Sequence, residues 1–307
     1  MNLSIATKNQ LPTLALLIVA ISWGWSFAFT KEIFQYIGPI AFTAYSFLVP
    51  STIFFAIAIY KKNWNILYRI KEGAFLGALL CLVELPQTIG LFESSAQNTA
   101  FISNSGILLL PLFGYFVLRE KLRAQHIYAL ILCALGIYVF TGGIDHLISG
   151  DYWLFLSAIG MPLYFGFSAK YEREWKSDIY LLCGQQFFVC GAIAFLFIEK
   201  TPVVWSQPLL INFVLIAFFA NLLPYFLAQW AERKVTTVLA TFVYTLEPIF
   251  GGYFAWTIGH EIITRNKIIG GLLIVLAMLI SQIRKNEAGT IHGVKRRKMA
   301  TLRRETT

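Results

Sequence analysis

The chain has 307 residues, 57% of them hydrophobic and only 13% charged, with a formal net charge of +9. A soluble domain is about one quarter charged, so this composition excludes a water-facing globular enzyme, and its apolar content excludes a disordered chain. The positive charge falls between apolar runs and in the C-terminal segment, which points to orientation in a membrane rather than to nucleic acid.

A bilayer core takes roughly 20 apolar residues per helix. Taken in chain order, the apolar runs predict ten spans: 11–30, 39–60, 73–92, 98–118, 125–142, 152–170, 179–198, 208–229, 235–258 and 266–283. The expected fold class is therefore an all-α integral membrane protein. Connections are short and leave no room for an inserted soluble domain. The first run continues through Trp23-Gly24-Trp25-Ser26-Phe27 without a small-residue cleavage site, so it reads as a span and not as a signal peptide.

Charge tests the count. With the N-terminus in the cytoplasm, 21 of the 25 Lys and Arg residues fall on the cytoplasmic side. Only Lys31, Lys200, Arg265 and Lys267 fall opposite. A missed or extra span would scramble this asymmetry, so the positive-inside rule supports ten crossings and two cytoplasmic termini. The expected location is the cytoplasmic (inner) membrane. Residues 288–307 read as a basic, disordered cytoplasmic tail. Cys81, Cys133, Cys183 and Cys190 lie in apolar runs without metal or CxxC spacing, and read as small buried hydrophobes.

The chain is also written twice. At an offset of 137–139 residues, Pro111-Leu112-Phe113-Gly114 matches Pro248-Ile249-Phe250-Gly251, Pro86 matches Pro224, and Lys31 matches Lys170. This predicts two five-helix repeats, 1–146 and 147–287. Five is odd, so the second copy must enter the membrane upside down, giving a five-plus-five inverted-topology repeat. Pro86, Pro111, Pro224 and Pro248 place weak points in spans 3, 4, 8 and 9. A carbonyl freed by proline is costly in lipid, so these helices are expected to line the interior.

Two carboxylates fall within spans, Glu84 and Glu247. A charged side chain at the bilayer centre costs at least ~2.5–3.5 kcal/mol on insertion scales, and such residues face water, a partner or a ligand. They are the candidates for proton coupling or for holding a cationic group on a cargo. Gln87 shares a helix face with Glu84, three residues on. Asn98 and Asn104 lie in span 4, Gln185 and Gln186 in span 7, and Asn221 and Gln229 in span 8. Asn221 precedes Pro224 much as Glu84 precedes Pro86. Singly, such amides are more often helix-packing glue than ligands. Trp153, Trp175, Trp205 and Trp256 near span ends fit an interfacial belt.

Ser22-Trp23-Gly24-Trp25-Ser26-Phe27 with Lys31, Ser95-Ala96-Gln97-Asn98-Thr99-Ala100-Phe101, Pro111-Leu112-Phe113, Leu118-Arg119-Glu120-Lys121-Leu122, and Glu247-Pro248 with Gly259-His260-Glu261 together resemble the drug/metabolite transporter superfamily, EamA type. The ordered set, covering the chain to about residue 283, carries the resemblance. It implies ten helices, an inverted repeat and alternating-access transport of metabolites or drugs. It also implies that spans 1 and 6 line the cavity, which favours Trp23 and Tyr164 over Trp25, Tyr45 and Tyr244 as cargo-facing aromatics. Span 2 departs from the family's frequent arginine, reading Phe42-Thr43-Ala44-Tyr45-Ser46-Phe47.

The function expected is secondary transport of an amino acid, a nucleotide-linked or amine-type metabolite, or a drug. The expected binding residues are Glu84, Gln87, Asn221, Glu247, Trp23, Tyr164 and Asn104, with no cofactor and no metal. No GxxxxGK[ST] run is present, so any driving force comes from a gradient. Glu120 and Glu261, at helix ends, read as caps or topology signals. Partners are the small-molecule cargo and the bilayer, not nucleic acid; the protein is a monomer or a homodimer. The alternatives are an intramembrane enzyme and a non-transporting membrane sensor. Gly166-Phe167-Ser168-Ala169 faintly resembles a membrane serine-protease motif, but no histidine is placed to activate Ser168. A channel would need a polar filter, which nothing here suggests.

Overall fold

In a computed structural model the chain is built from helices, with no strand among the described residues. The structure describes residues 3–61, 65–117, 119, 121–174, 179–198, 203, 206–235 and 237–282. Lys62, Glu120, Trp175, Lys176, Lys200, Trp205 and the expected basic tail lie outside the described residues. Ten helical spans follow the predicted runs: α1 (Leu3–Ile33), α2 (Pro39–Tyr60), α3 (Ile70–Glu93), α4 (Ala96–Val117), α5 (Ala124–Thr141), α6 (Ser149–Glu174), α7 (Ile179–Phe195), α8 (Gln207–Glu232), α9 (Thr237–Tyr244 with Glu247–Thr257) and α10 (Arg265–Gln282). Seven of them are each long and apolar enough to cross a membrane. The other three are the 26-residue α6, the shorter apolar α7, and α9, which a turn at Thr245–Leu246 divides.

Neighbour directions give the topology. Gly184 faces Phe55 while Gly191 faces Ala44 and Leu48, so α2 and α7 run antiparallel. Gly136 lies against Ile274 and Gly270 against Phe140, which makes α5 and α10 antiparallel too. Each of these pairs joins a span to its own repeat counterpart, five places on. Counterparts that meet antiparallel are what an inverted repeat requires. By contrast Gly24 meets Phe250 and Phe27 meets Gly251, so α1 and α9 are parallel. Their images α6 and α4 are parallel as well, with Gly106 on Ala158 and Gly166 on Phe113. The α1–α8 contact is likewise mirrored by α6–α3. All these directions fit ten strictly alternating crossings.

Close approach carries the packing. Lipid tails remove the hydrophobic drive between helices, so association rests on van der Waals fit and small residues. At Gly77 of α3 an added Cβ would stand 2.6 Å from the Gln186 carbonyl oxygen of α7. The link between the halves turns on Gly142 and Gly143, at φ of 82° and 115°, a region glycine enters without penalty.

The alternation gathers Lys61, Arg69, Lys71, Arg119, Lys121, Arg123, Arg233 and Lys234 at one end of the bundle, the basic end. Gln185 there donates to the carbonyls of Ile66 (2.8 Å) and Tyr68 (3.0 Å), fixing the α2–α3 connection. Lys31, Asp151, Glu261 and Lys267 gather at the opposite end.

The predicted proline weak points resolve differently. α3 runs unbroken through Pro86. In α4, π winding over Thr99–Ser103 and 3-10 winding over Ser105–Leu109 precede Pro111. In α8, π winding over Ala217–Leu222 precedes Pro224. In α9, Pro248 sits in the first turn after the break, where its missing N–H is not needed.

Candidate functional site

The irregular part of α4 is stabilised by its own side chains. Ser103 Oγ donates to the Thr99 carbonyl, Ser105 Oγ to that of Ile102 (2.6 Å) and Asn104 Nδ2 to that of Ala100 (2.9 Å). Non-standard winding leaves carbonyls short of partners, and in a membrane they must find protein donors. The result turns Asn104 inward, where Nδ2 also donates to Glu247 Oε1 at 3.0 Å. Asn104 belongs to the first half and Glu247 to the second.

A second carboxyl is held across the same boundary. The Tyr225 hydroxyl of α8 donates to Glu84 Oε1 of α3 at 2.6 Å. Glu247 is 6% exposed, and Glu84 is half-buried. Between them lies a central cavity of about 80 Å³ lined from both halves. A smaller pocket continues it towards Thr30, Phe42 and Leu91, sharing Ser26, Glu84, Gln87 and Asn221.

All seven side chains singled out in the sequence, Trp23, Glu84, Gln87, Asn104, Tyr164, Asn221 and Glu247, line the central cavity. Trp23 Nε1 donates to the Ala220 carbonyl (3.0 Å), pinning α1 to the π segment of α8. Asn221 Nδ2 donates to the Ser46 carbonyl (2.8 Å), and Gln87 Nε2 to Ser103 Oγ (3.0 Å). The Tyr164 hydroxyl donates to Gln186 Oε1 (3.0 Å). Trp23 lies edge-on to Tyr225 and tilted against Tyr244, at ring centroid distances of 5.4 and 5.8 Å.

Tyr244, placed behind Trp23 and Tyr164 by the sequence, lines the cavity as well; the remaining candidates lie elsewhere. Trp25 stacks on Phe29 at 4.6 Å, and Tyr45 packs edge-on against Phe195. Asn98 donates to Asp151, Gln229 accepts from Cys183, and Gln185 serves the loop already described. Trp153 and Trp256 are 37% and 53% exposed on the flank, as an interfacial position requires. All four cysteines are buried and none is in a disulfide. No cluster of metal-ligating side chains occurs among the described residues.

Sequence reasoning missed Tyr225, Ser26, Met161 and Phe165, which also line the cavity. Tyr225 had a legible signal, since it lies four residues after Asn221 and so one turn along the same face. Also missed were Glu232, which accepts from the Tyr244 hydroxyl (2.6 Å), and Asp151, which accepts from Ser94 (2.6 Å) and Asn98 (2.9 Å). Both sit at helix ends, where a carboxylate looks like an ordinary terminal charge.

The family model described as "EamA-like transporter family" matches residues 10–142 and again 148–282. An uncharacterized transporter of Archaeoglobus fulgidus is 24% identical over 279 residues, spanning 90% of this chain and 87% of that protein. One from Methanothermobacter thermautotrophicus is 22% identical, spanning 87% and 84%. A crystal structure of a protein 16% identical in sequence superposes with a TM-score of 0.65 over 89% of this chain and 98% of the other, a likeness of fold.

Proposed function

Because the chain belongs to the EamA-like transporter family, and is thus a multi-pass membrane transporter, we propose that it is a secondary carrier working by alternating access around the central cavity. Its cargo is a small metabolite or drug, bound against Glu84, Gln87, Asn104, Asn221 and Glu247 with Trp23 and Tyr164 as aromatic walls. Its units are the repeats 1–146 and 147–287 and the basic tail 288–307. It resides in the cytoplasmic membrane with both termini inside, the basic end facing the cytoplasm. The observation that carries this reading is the convergence of polar and aromatic side chains from both repeats on one cavity at their interface. A site shared by two inverted halves changes its exposure when the halves rock.

Glu84 and Glu247 are the groups through which a proton gradient would act. Flux of cargo into liposomes, with and without an imposed pH gradient, tests the reading. Saturable flux that the gradient accelerates, and that Glu84→Gln and Glu247→Gln uncouple, is the expected result. Flux proportional to concentration without limit overturns the carrier. Saturable flux indifferent to the gradient overturns the coupling alone.

A further inference from the structure

The hydrogen-bond inventory of the cavity is one-sided. Its donors are engaged with the protein itself: Trp23 Nε1 on Ala220, Ser26 Oγ on the Trp23 carbonyl, Asn104 Nδ2 on both Ala100 and Glu247, and the Tyr225 hydroxyl on Glu84. The amides of Gln87 and Asn221 each give a proton to Ser103 and Ser46. The acceptors are in surplus. Glu84 and Glu247 each receive one side-chain hydrogen bond, through Oε1, among the described residues. The side-chain amides of Asn104, Gln87 and Asn221 act as donors, and their side-chain oxygens accept no hydrogen bond from a described residue.

Charge points the same way. The ionisable side chains lining the cavity, apart from tyrosines, are the two glutamates, and no Lys, Arg or His lines it among the described residues. Trp23, Tyr164, Phe165 and Tyr244 supply ring surface around them. Carboxylates and amide carbonyls accept hydrogen bonds, while ring faces attract cations. A carboxylate or phosphate on the cargo would meet like charge with few free donors, which is costly in a low-dielectric site.

We propose that the cargo is a protonated amine with N–H donors, carried on an aromatic or apolar body and lacking any acidic group. A primary ammonium offers three donors to the oxygens of Glu84, Glu247 and the neighbouring amides. A fully alkylated ammonium has the charge but no donor, and fits less well. This inference rests on the carrier reading above and narrows its substrate class.

Equilibrium binding of radiolabelled phenethylamine to the purified full-length protein tests it, with three competitors sharing the phenethyl body: phenethyltrimethylammonium, phenylalanine and 3-phenylpropionate. The expected order places phenethylamine about tenfold or more ahead of the trimethylated cation, and both acids behind it. Glu84→Gln and Glu247→Gln keep an acceptor for Tyr225 and Asn104, and each is expected to weaken phenethylamine about tenfold. Glu247→Asp restores part of the loss, and the exposed Glu32→Gln changes nothing. Should a glutamine variant fail to purify as a single species, the competitor order in wild type still decides. Equal or tighter binding of the trimethylated or acidic competitors overturns the proposal, as does absence of saturable phenethylamine binding to monodisperse wild type. Carrier and cargo class fail separately: saturable amine binding without flux in liposomes sinks the carrier, whereas saturable flux of an acidic competitor sinks the amine.

Discussion

Glu261, in the connection before α10, accepts the backbone N–H of Ala96, the first residue of α4, at 2.6 Å, and that of Gln97 at 3.0 Å. The second repeat thus caps a helix of the first, at the end of the bundle opposite the basic loops. Asp151 and Lys267 reach the same α3–α4 turn, through Ser94 and Ser95. Lys31 closes on the carbonyls of Leu91 and Ser94. A charge at a helix N-terminus contributes roughly 0.3–2 kcal/mol, so this knot ties the two repeats together at that end.

Breaking the knot should open the bundle there. Glu261→Gln removes the charge and keeps the shape, and under alternating access it is expected to shift the population towards the opposite-end-open state by about tenfold. A cysteine at Ser26, on the cavity wall, would then react several-fold faster with an impermeant thiol reagent applied from that end. An unchanged rate means that the knot does not gate.

Asn104 Nδ2 holds the buried Glu247 carboxyl across the repeat boundary. Asn104→Leu deprives a buried carboxyl of its donor, a loss of roughly 1–3 kcal/mol. The expected outcome is a lower unfolding temperature in detergent and flux reduced by about tenfold. Asn104→Gln, which retains a donor, should recover part of both.

Backbone contact between repeats tolerates little added volume. Gly77→Ala puts a methyl group 2.6 Å from the Gln186 carbonyl oxygen, and overpacking of this kind costs typically 1–3 kcal/mol. The variant should melt several degrees lower by fluorescence-detected size exclusion, whereas Ala substituted for the exposed Tyr60 (88% exposed) should not.

Orientation follows from single-cysteine labelling in intact cells, on a background lacking the four native cysteines. Tyr60→Cys at the basic end should stay unlabelled by an impermeant reagent until the membrane is opened. Ile262→Cys, at the other end and 81% exposed, should label at once. The reverse pattern would invert the proposed topology.

Much of this architecture was legible because lipid imposes simple rules. Apolar length gave all ten spans, and lysine and arginine gave their alternation. Glu84 and Glu247 stood out because carboxylates within apolar runs demand an explanation. What stayed hidden was chemistry spread over distant stretches with no local oddity. Tyr225 is one aromatic among many until α8 sets it beside Glu84, 141 residues away in sequence. Asp151 looked like an ordinary terminal charge, and Glu261 was legible as a cap or topology signal, but nothing in its neighbours tells that the helix it caps is α4 of the other repeat. The winding changes in α4 and α8 precede prolines, but Pro86 in α3 has the same signature and leaves its helix intact.

The antiparallel meeting of α2 with α7 and of α5 with α10 has one more consequence. At the repeat offset the counterpart of Glu84 is Leu222 and that of Glu247 is Leu110. The scaffold is therefore nearly interchangeable between its two faces while the acidic chemistry is not. Under the alternating access proposed above, turning the carrier inside out would not regenerate the same environment, so its two resting forms are expected to differ in energy and in their grip on cargo.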